Sequence, residues 1–224
     1  MSQKSALGSV QTFELGGRSL VCWVPNDISA TTAILVAHDA QNYLVPAAET
    51  WNGRNWGVVE AIESGRLLPD RNGNLPLIAS VHLTDTVFRI NELAPEDFFA
   101  AHPETWANIP PEMTPPNKIL TNNKYTDAIA LDVVPALCEK FGITRSVDRT
   151  AISGSSMGGL ATLYAIGRHP EVYGTALAYS THWPAGRESL VDYLVDALPK
   201  DGKHRVYIDS GDLELDSARI KKGG

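Results

Sequence analysis

The sequence predicts one α/β domain in which a mostly parallel sheet is covered by helices. Short apolar runs alternate along the chain with longer segments whose apolar residues recur every three or four positions, as expected of repeated βα units. The 224 residues are enough for one such core and too few for two large ones. Hydrophobic residues make up 43% of the chain and charged residues 20%, which excludes a disordered chain, a coiled coil or a fibre.

The first predicted elements form an antiparallel hairpin. Residues 10–25 contain two strand-like runs on either side of Gly16-Gly17, a dipeptide suited to the positive φ angles of a tight hairpin turn. The later strands are short and continuously apolar, as is typical of strands buried on both faces of a sheet. These strands cover residues 31–39, 75–82, 149–155, 174–180 and 204–211.

Four segments between the strands have the apolar spacing of amphipathic helices. They cover residues 55–67, 124–142, 158–170 and 188–198. We expect Pro135 to kink the second helix or to mark its exposed first half. Residues 91–123 are rich in Pro, Glu and Asn and lack a sustained period, so we expect a long loop or cap there.

Charge and cysteine content narrow the classes of partner. Nineteen Lys and Arg against 26 Asp and Glu give a formal net charge of −7, and an acidic surface repels nucleic acid and anionic lipid. We therefore expect neither nucleic acid nor a membrane as partner. Cys22 and Cys138 form no CxxC pair and are interpreted as buried thiols. Together with the absence of an apolar signal core near the N-terminus, this favours a cytoplasmic location.

The most informative motif is Gly154-Ser155-Ser156-Met157-Gly158, which satisfies G-x-S-x-G with Ser156 at its centre. A predicted strand precedes it and a predicted helix follows, which is the context of a nucleophile elbow. Small residues on both sides of the serine let the strand and helix backbones approach closely, and the helix N-terminus offers free N–H groups to a developing oxyanion. The alternative interpretation is a glycine-rich turn with a buried serine.

The residues around this motif, TAISGSSMGGLATLYAIGRHPEVYGTALAYSTHW, resemble the elbow region of the Putative esterase family of the α/β-hydrolase superfamily, which includes enterochelin, feruloyl and S-formylglutathione esterases. Further similarity extends over most of residues 31–216. It lies in AILVAHDAQNYL, in TWNGRNWGVVEAI, in HRVYIDSGDLELD and in FRINELAPEDF, whose Arg89, Glu92 and Pro95 match an R-x-x-E-x-x-P element.

The resemblance implies an α/β-hydrolase fold, a three-layer sandwich with an antiparallel N-terminal hairpin, and a Ser–acid–His triad. Ser156 corresponds to the nucleophile, and the backbone N–H of Met157 to one oxyanion donor. The second donor would be the N–H of Gln41, in the turn that begins at His38. Ala40 stands where the family usually has glycine, so a positive φ at that position would reshape the turn.

The acidic member of the triad has several candidates near the last predicted strand. The pattern D-x-G-x-x-x-L-D of similar esterases favours Asp216. The rivals in the same segment are Asp209, Asp212 and Glu214. A solvated acidic loop is the alternative interpretation of this cluster.

The base is the unresolved member, because no histidine follows His204 in this sequence, whereas the triad order places it last. The family's C-terminal strand and helix are also missing from the sequence. His38 and His182 both follow predicted strands and are the candidate alternative bases or pocket residues. Three hypotheses follow: a truncated form of a longer esterase, a short homologue that binds without turnover, or a complete enzyme with an unusual base. A missing last strand would leave residues 204–211 as an unpaired edge that invites self-association.

The resemblance thus predicts a serine hydrolase that acts on a carboxylic ester of a small molecule. The alternative reaction is acyl transfer to an alcohol. The alternative without catalysis is a protein of the same fold that only binds a ligand or partner. We expect no cofactor and no metal, because GxGxxG, GxxxxGK[ST] and clustered His or Cys are absent from the sequence.

The aromatic and apolar residues of the predicted cap either wall a substrate pocket or pack on the sheet. They are Phe98, Phe99, Trp106 and Met113.

Overall fold

A seven-stranded mixed sheet organises the part of the chain that the computed structural model describes, residues 6–45, 50, 53–67, 69 and 73–211. Its strands are β1 (Gly8–Leu15), β2 (Arg18–Pro25), β3 (Ile34–Ala37), β4 (Leu77–Val81), β5 (Thr150–Ser155), β6 (Thr175–Tyr179) and β7 (Arg205–Ile208). Their order across the sheet is β1-β2-β4-β3-β5-β6-β7. The fold is therefore the α/β class that the alternating pattern predicts.

The N-terminal hairpin is confirmed. β1 pairs with β2 in antiparallel fashion, and the turn between them places Gly16 at φ 57° and Gly17 at φ 71°. β2 also runs antiparallel to β4, whereas β3, β4, β5, β6 and β7 pair in parallel. The hairpin thus extends one side of a parallel sheet.

Eight α-helices are described alongside the strands. They are α1 (Ala40–Tyr43), α2 (Val58–Glu63), α3 (Ile90–Leu93), α4 (Glu96–Ala101), α5 (Asn122–Ala128), α6 (Val134–Phe141), α7 (Met157–Arg168) and α8 (Arg187–Ala197). No helix among the described residues is long and apolar enough to cross a bilayer.

The two faces of the sheet bury separate sets of side chains, because successive residues of a strand point in opposite directions. In β2, Leu20 and Cys22 belong to the larger core, which α5 to α8 also line, whereas Val21 and Trp23 belong to a smaller core with residues of α1 and α2. Both layers are apolar, which explains why the strands read as continuous hydrophobic runs.

Both cysteines are free and buried, as predicted. Cys22 lies in β2, and burial raises the pKa of its thiol to about 12. Cys138 lies in α6, and burial raises its pKa as well. Both therefore remain protonated packing groups at neutral pH.

Pro135 is accommodated by a change of helix type. A π-helical segment, Ile129–Val133, joins α5 to α6, and Pro135 is the second residue of α6. Because proline has no N–H to donate and its ring crowds the carbonyl of the preceding turn, a wider turn before it relieves the clash. The Gly16 turn packs directly against this π segment.

Residues 91–123 contain short helices where the sequence pattern led us to expect a loop or cap. After α3 and α4 come two 3-10 helices, Pro103–Asn108 and Pro111–Met113. Phe98 and Phe99 are buried in the larger core, and Trp106 and Met113 pack against it. This arrangement favours packing in the core over a pocket wall, and the Phe98 ring lies 5.4 Å from that of Tyr193 in α8.

β7 lies at the edge of the described sheet. Val206, Tyr207 and Ile208 are all exposed, by 37%, 50% and 46%. Self-association through this edge stays a prediction.

Paired substitutions in the hairpin turn test its contact with the π segment. Alanine at either glycine places a Cβ at positive φ, which destabilises by about 1–2 kcal/mol. At Gly16 the Cβ would also lie 2.6 Å from the backbone nitrogen of Val133, whereas at Gly17 nothing lies within 4 Å. We expect Gly16→Ala to lower the free energy of unfolding by about 1–3 kcal/mol more than Gly17→Ala in urea denaturation. Equal losses would contradict the close packing of this turn.

Candidate active site

Ser156 occupies a sharp bend between β5 and α7. Its backbone has φ 57° and ψ −118°, a conformation that is strained for any residue with a Cβ. The Ser156 N–H donates to the carbonyl of Tyr179 at 3.0 Å, and its own carbonyl accepts from the N–H of His182 at 3.1 Å. Ser156 is partly exposed, so the alternative of a buried serine does not describe this residue.

Two glycines make the bend geometrically feasible. A Cβ on Gly154 would lie 2.4 Å from the carbonyl oxygen of Gly158 and 2.9 Å from Cδ2 of His38. A Cβ on Gly158 would lie 3.3 Å from Oδ2 of Asp39. The first contact is impossible for a real side chain, so the motif glycines permit the approach of strand and helix that the sequence analysis predicts.

The turn that begins at His38 lies next to the elbow. The His38 N–H donates to the carbonyl of Ser153 at 3.0 Å, which ties the end of β3 to β5. Asp39 follows at φ 62° and ψ 54° and precedes α1. The positive φ therefore belongs to Asp39, whereas Ala40 is a buried helical residue. Position 40 therefore needs no positive φ, and Ala40 fits the turn without reshaping it.

Both predicted oxyanion donors occupy the starts of helices. Met157 is the first residue of α7, and Gln41 is the second residue of α1. N–H groups in a helix's first turn have no acceptor four residues earlier in that helix, so they are free to bind other oxygens. The two helix starts are neighbours, because Oδ2 of Asp39 would lie 3.3 Å from a Cβ added to Gly158. Their role as an oxyanion hole stays a prediction.

The R-x-x-E-x-x-P element anchors the surrounding loops. Arg89 donates from Nε and Nη2 to the two carboxylate oxygens of Asp39, at 2.9 and 2.6 Å. The buried Glu92 accepts from Nη1 of Arg18 at 2.6 Å and from the backbone N–H of Thr84 at 2.7 Å. Pro95 sits immediately before α4. Each member thus has a structural partner in the fold.

An open aromatic cleft of about 350 Å³ lies beside the elbow. Its lining residues are Tyr43, Trp56, Val58, Ser155 and Tyr179. The Trp56 ring lies 4.9 Å from that of Tyr43 and 6.3 Å from that of Tyr179, measured between centroids. Sequence reasoning missed these rings as site residues. The one local signal was that Tyr179 ends a strand at the same edge of the sheet as Ser155.

The tyrosines of the cleft are neutral at physiological pH. Burial raises the pKa of Tyr43, and a hydrogen bond to Ser153 only partly opposes this. Burial, helped by the charge of Asp209, raises the pKa of Tyr179 to about 12. The cleft therefore offers apolar ring surface and neutral hydroxyl groups to a ligand.

His38 is completely buried, and its Nδ1 lies 2.9 Å from the hydroxyl of Tyr125. Burial lowers the pKa of His38 to about 4, while Asp39 raises it and Arg89 lowers it to smaller extents. A buried imidazole with so low a pKa is a weak proton acceptor at neutral pH. This placement favours a structural role for His38 over its role as an alternative base.

His182 is connected to Ser156 through the backbone. It is partly exposed, and its backbone N–H is bonded to the carbonyl of Ser156 itself. Among the described histidines it is therefore the one that combines partial exposure with a direct backbone contact to the nucleophile candidate.

One acidic candidate is described and the others are not. Asp209 follows β7, and its Oδ1 accepts from the backbone N–H of Ser180 at 2.9 Å. The favoured candidate, Asp216, lies outside the described residues, as do Asp212 and Glu214. Among the described residues, no three His, Cys, Asp or Glu side chains converge as metal ligands.

Substitutions at the bend test whether Ser156 is strained. Glycine relieves a positive φ and alanine does not, so we expect Ser156→Gly to unfold with a free energy about 1–3 kcal/mol higher than Ser156→Ala. At Ser155, which lies in β5, the order should reverse, because glycine weakens a strand by about 0.5–1 kcal/mol relative to alanine. Chemical denaturation of the four variants measures both differences. The same order at both positions would contradict the strained bend.

The sequence matches a known family over more than half of its length. Residues 106–223 match the family model described as "Putative esterase". No curated protein sequence matches the chain significantly.

Solved structures of esterases and hydrolases share the fold. The enterobactin esterase of Shigella flexneri, determined with enterobactin, is 19% identical with a TM-score of 0.62, over 99% of this chain and 50% of that one. An IroE-like serine hydrolase from Shewanella oneidensis is 12% identical with a TM-score of 0.61, over 89% and 60% of the two chains. A siderophore hydrolase from Aspergillus nidulans is 16% identical with a TM-score of 0.54, over 98% and 77%. This chain thus spans about half the length of the Shigella protein. Its sheet and helices have the α/β-hydrolase fold, and by its family match the chain belongs to this esterase family.

Proposed function

We propose that this protein hydrolyses carboxylic esters of small molecules with Ser156 as the nucleophile. The observation that carries this proposal is the strained, partly exposed position of Ser156 at the start of a twelve-residue helix. Strain in the backbone persists only where the surrounding structure enforces it, and such residues cluster at active sites. The esterase family of the chain and the serine hydrolase from Shewanella oneidensis support the same reaction class.

The reaction would proceed through an acyl-enzyme. The Ser156 hydroxyl oxygen attacks the ester carbonyl carbon while a base takes the hydroxyl proton. The N–H groups of Met157 and Gln41 donate to the resulting oxyanion. Collapse of the tetrahedral intermediate expels the alcohol, which receives the proton back from the base. Water then attacks the acyl carbonyl carbon while the same base takes one of its protons. The second tetrahedral intermediate collapses to the free acid, and the base returns the proton to the Ser156 oxygen.

The aromatic cleft is the proposed place for a neutral apolar part of the substrate. It opens next to Ser156, because Ser155 and Tyr179 both line it and Tyr179 accepts the N–H of Ser156. Rings of Tyr43 and Trp56 form its other side. One structural neighbour is named an enterobactin esterase and another a siderophore hydrolase. In this chain the cleft would take an aromatic or alkyl group of an ester.

Within the described residues, we propose His182 as the base. Its backbone contact with Ser156 fixes its Cα close to the nucleophile, and it is not buried as His38 is. A carboxylate that orients it would come from the acidic segment after β7. The candidates are Asp216, by family resemblance, and Asp209, whose Oδ1 accepts the backbone N–H of Ser180.

A fluorophosphonate probe tests the nucleophile. We expect the wild-type protein to be labelled at Ser156 and to hydrolyse a short p-nitrophenyl ester, because an activated serine attacks both reagents. Ser156→Ala should abolish labelling, and Ser189→Ala on the exposed side of α8 should not change it. Peptide mass spectrometry locates the label. A wild-type protein that resists the probe and hydrolyses no ester would contradict the proposal and favour a silent binding module.

Product analysis separates hydrolysis from acyl transfer. With an added alcohol as acceptor, a hydrolase should release mainly the free acid, because water is the abundant nucleophile. A predominant new ester would instead identify an acyltransferase that uses the same serine.

Removing His182 tests the base. We expect His182→Ala to lower kcat by about 10²- to 10⁴-fold, and added imidazole to restore part of the loss because it supplies the missing proton acceptor. His204 precedes β7, at the end of the strand away from Asp209. His204→Ala is the matched control and should keep the wild-type kcat. Unchanged turnover in His182→Ala would exclude this residue as the base.

A further inference from the structure

The Arg89–Asp39 ion pair lies beside the elbow. Nε of Arg89 donates to Oδ1 of Asp39 at 2.9 Å and Nη2 donates to Oδ2 at 2.6 Å, and Nε2 of Gln41 also donates to Oδ1 at 2.9 Å. The Asp39 side chain is 3% exposed, whereas that of Arg89 is 29% exposed. A carboxylate so deeply buried needs its partner, because an unpaired charge in the interior is strongly unfavourable.

This carboxylate lies beside both backbone segments that carry the proposed oxyanion donors. Asp39 itself adopts φ 62° and ψ 54°, and this conformation directs the chain into α1 and toward Gln41 two residues later. Its Oδ2 would lie 3.3 Å from a Cβ added to Gly158, in the first turn of α7 next to Met157. The carboxylate is thus bonded to the Gln41 side chain and lies next to the turn that carries Met157.

We propose that Arg89 is a positioning residue that holds the Asp39 turn so that the N–H groups of Gln41 and Met157 point to one oxyanion. This inference rests on the proposed function. The planar guanidinium fixes the carboxylate by two parallel hydrogen bonds, and a single cationic point charge would not fix its rotation. Arg89 also balances the negative charge of Asp39, which would otherwise oppose an oxyanion forming nearby.

A second arginine pair provides a matched control. Arg168 donates to both oxygens of Asp127 at 2.8 and 3.0 Å, at the opposite end of α7 from Ser156. Its side chain is 31% exposed, close to the 29% of Arg89. Both are bidentate arginine–carboxylate pairs, although the Asp127 side chain is 37% exposed and that of Asp39 is 3% exposed. Only Arg89 lies beside the elbow.

Kinetics of the two methionine variants test the proposal. We expect Arg89→Met to lower kcat for a p-nitrophenyl ester by about 10- to 100-fold, less than the roughly 10²- to 10³-fold loss caused by removing an oxyanion donor outright. KM should change by less than about threefold, because the lost interaction acts in the transition state. Arg89→Lys should fall between the wild type and Arg89→Met. Arg168→Met should keep the wild-type kcat, and a kcat loss in Arg89→Met no larger than in Arg168→Met would overturn the proposal.

Amide hydrogen exchange tests the turn without requiring turnover. We expect residues 39–43 to exchange at least about tenfold faster in Arg89→Met and at the wild-type rate in Arg168→Met, because only the first variant releases the turn. A lower kcat with unchanged exchange would overturn the proposal, since Arg89 would then act on the substrate directly. If the wild type shows no esterase activity, the proposed function fails, and the exchange rates alone decide whether Arg89 holds the turn.

Discussion

The close approach of the β5 and α7 backbones is the constraint on which the site depends. Gly154 and Gly158 face each other so closely that a Cβ on the first would lie 2.4 Å from the carbonyl oxygen of the second. The chain can leave the strand and enter the helix in one residue only because of this contact, and that residue, Ser156, must take a positive φ. Hydrogen bonds to Tyr179 and His182 on the neighbouring segment hold the bend in place. Local strain is thus offset by packing and hydrogen bonds spread over the edge of the sheet.

Charge around the elbow follows from the same geometry. The chain buries a carboxylate, Asp39, and a histidine, His38, directly beneath the bend. The histidine avoids the desolvation of a charge by staying neutral, as its lowered pKa of about 4 indicates. The carboxylate is instead paired with Arg89. Among the described residues, the electrostatic surroundings of Ser156 therefore include one compensated ion pair, one neutral ring and the positive end of α7. This is a suitable environment for negative charge that develops only during a reaction.

Features encoded by neighbouring residues were predictable, and features made by distant residues were not. The hairpin at Gly16-Gly17 and the strand–serine–helix order around Ser156 are local patterns, and both appear in the structure. The predicted strand 31–39 is longer than β3, because periodicity does not show where pairing with neighbours ends. The Asp39–Arg89 pair joins residues fifty positions apart, so no local pattern reveals it. The cleft likewise collects rings from three separate segments, which only the folded topology brings together.

Under the proposed function, the chemistry of the cleft would limit which substrates Ser156 acts on. Tyr43 and Tyr179 keep their protons, since burial raises the pKa of both hydroxyl groups. With Trp56 they form a surface that gains free energy from burying apolar or aromatic groups and provides no cation to attract an anion. A charged group placed there would lose its hydration without a compensating partner. Substrate specificity would therefore come from ring packing beside the serine. The neighbouring hollow, whose lining includes Trp56 and Arg66, would suit a more polar part of a ligand.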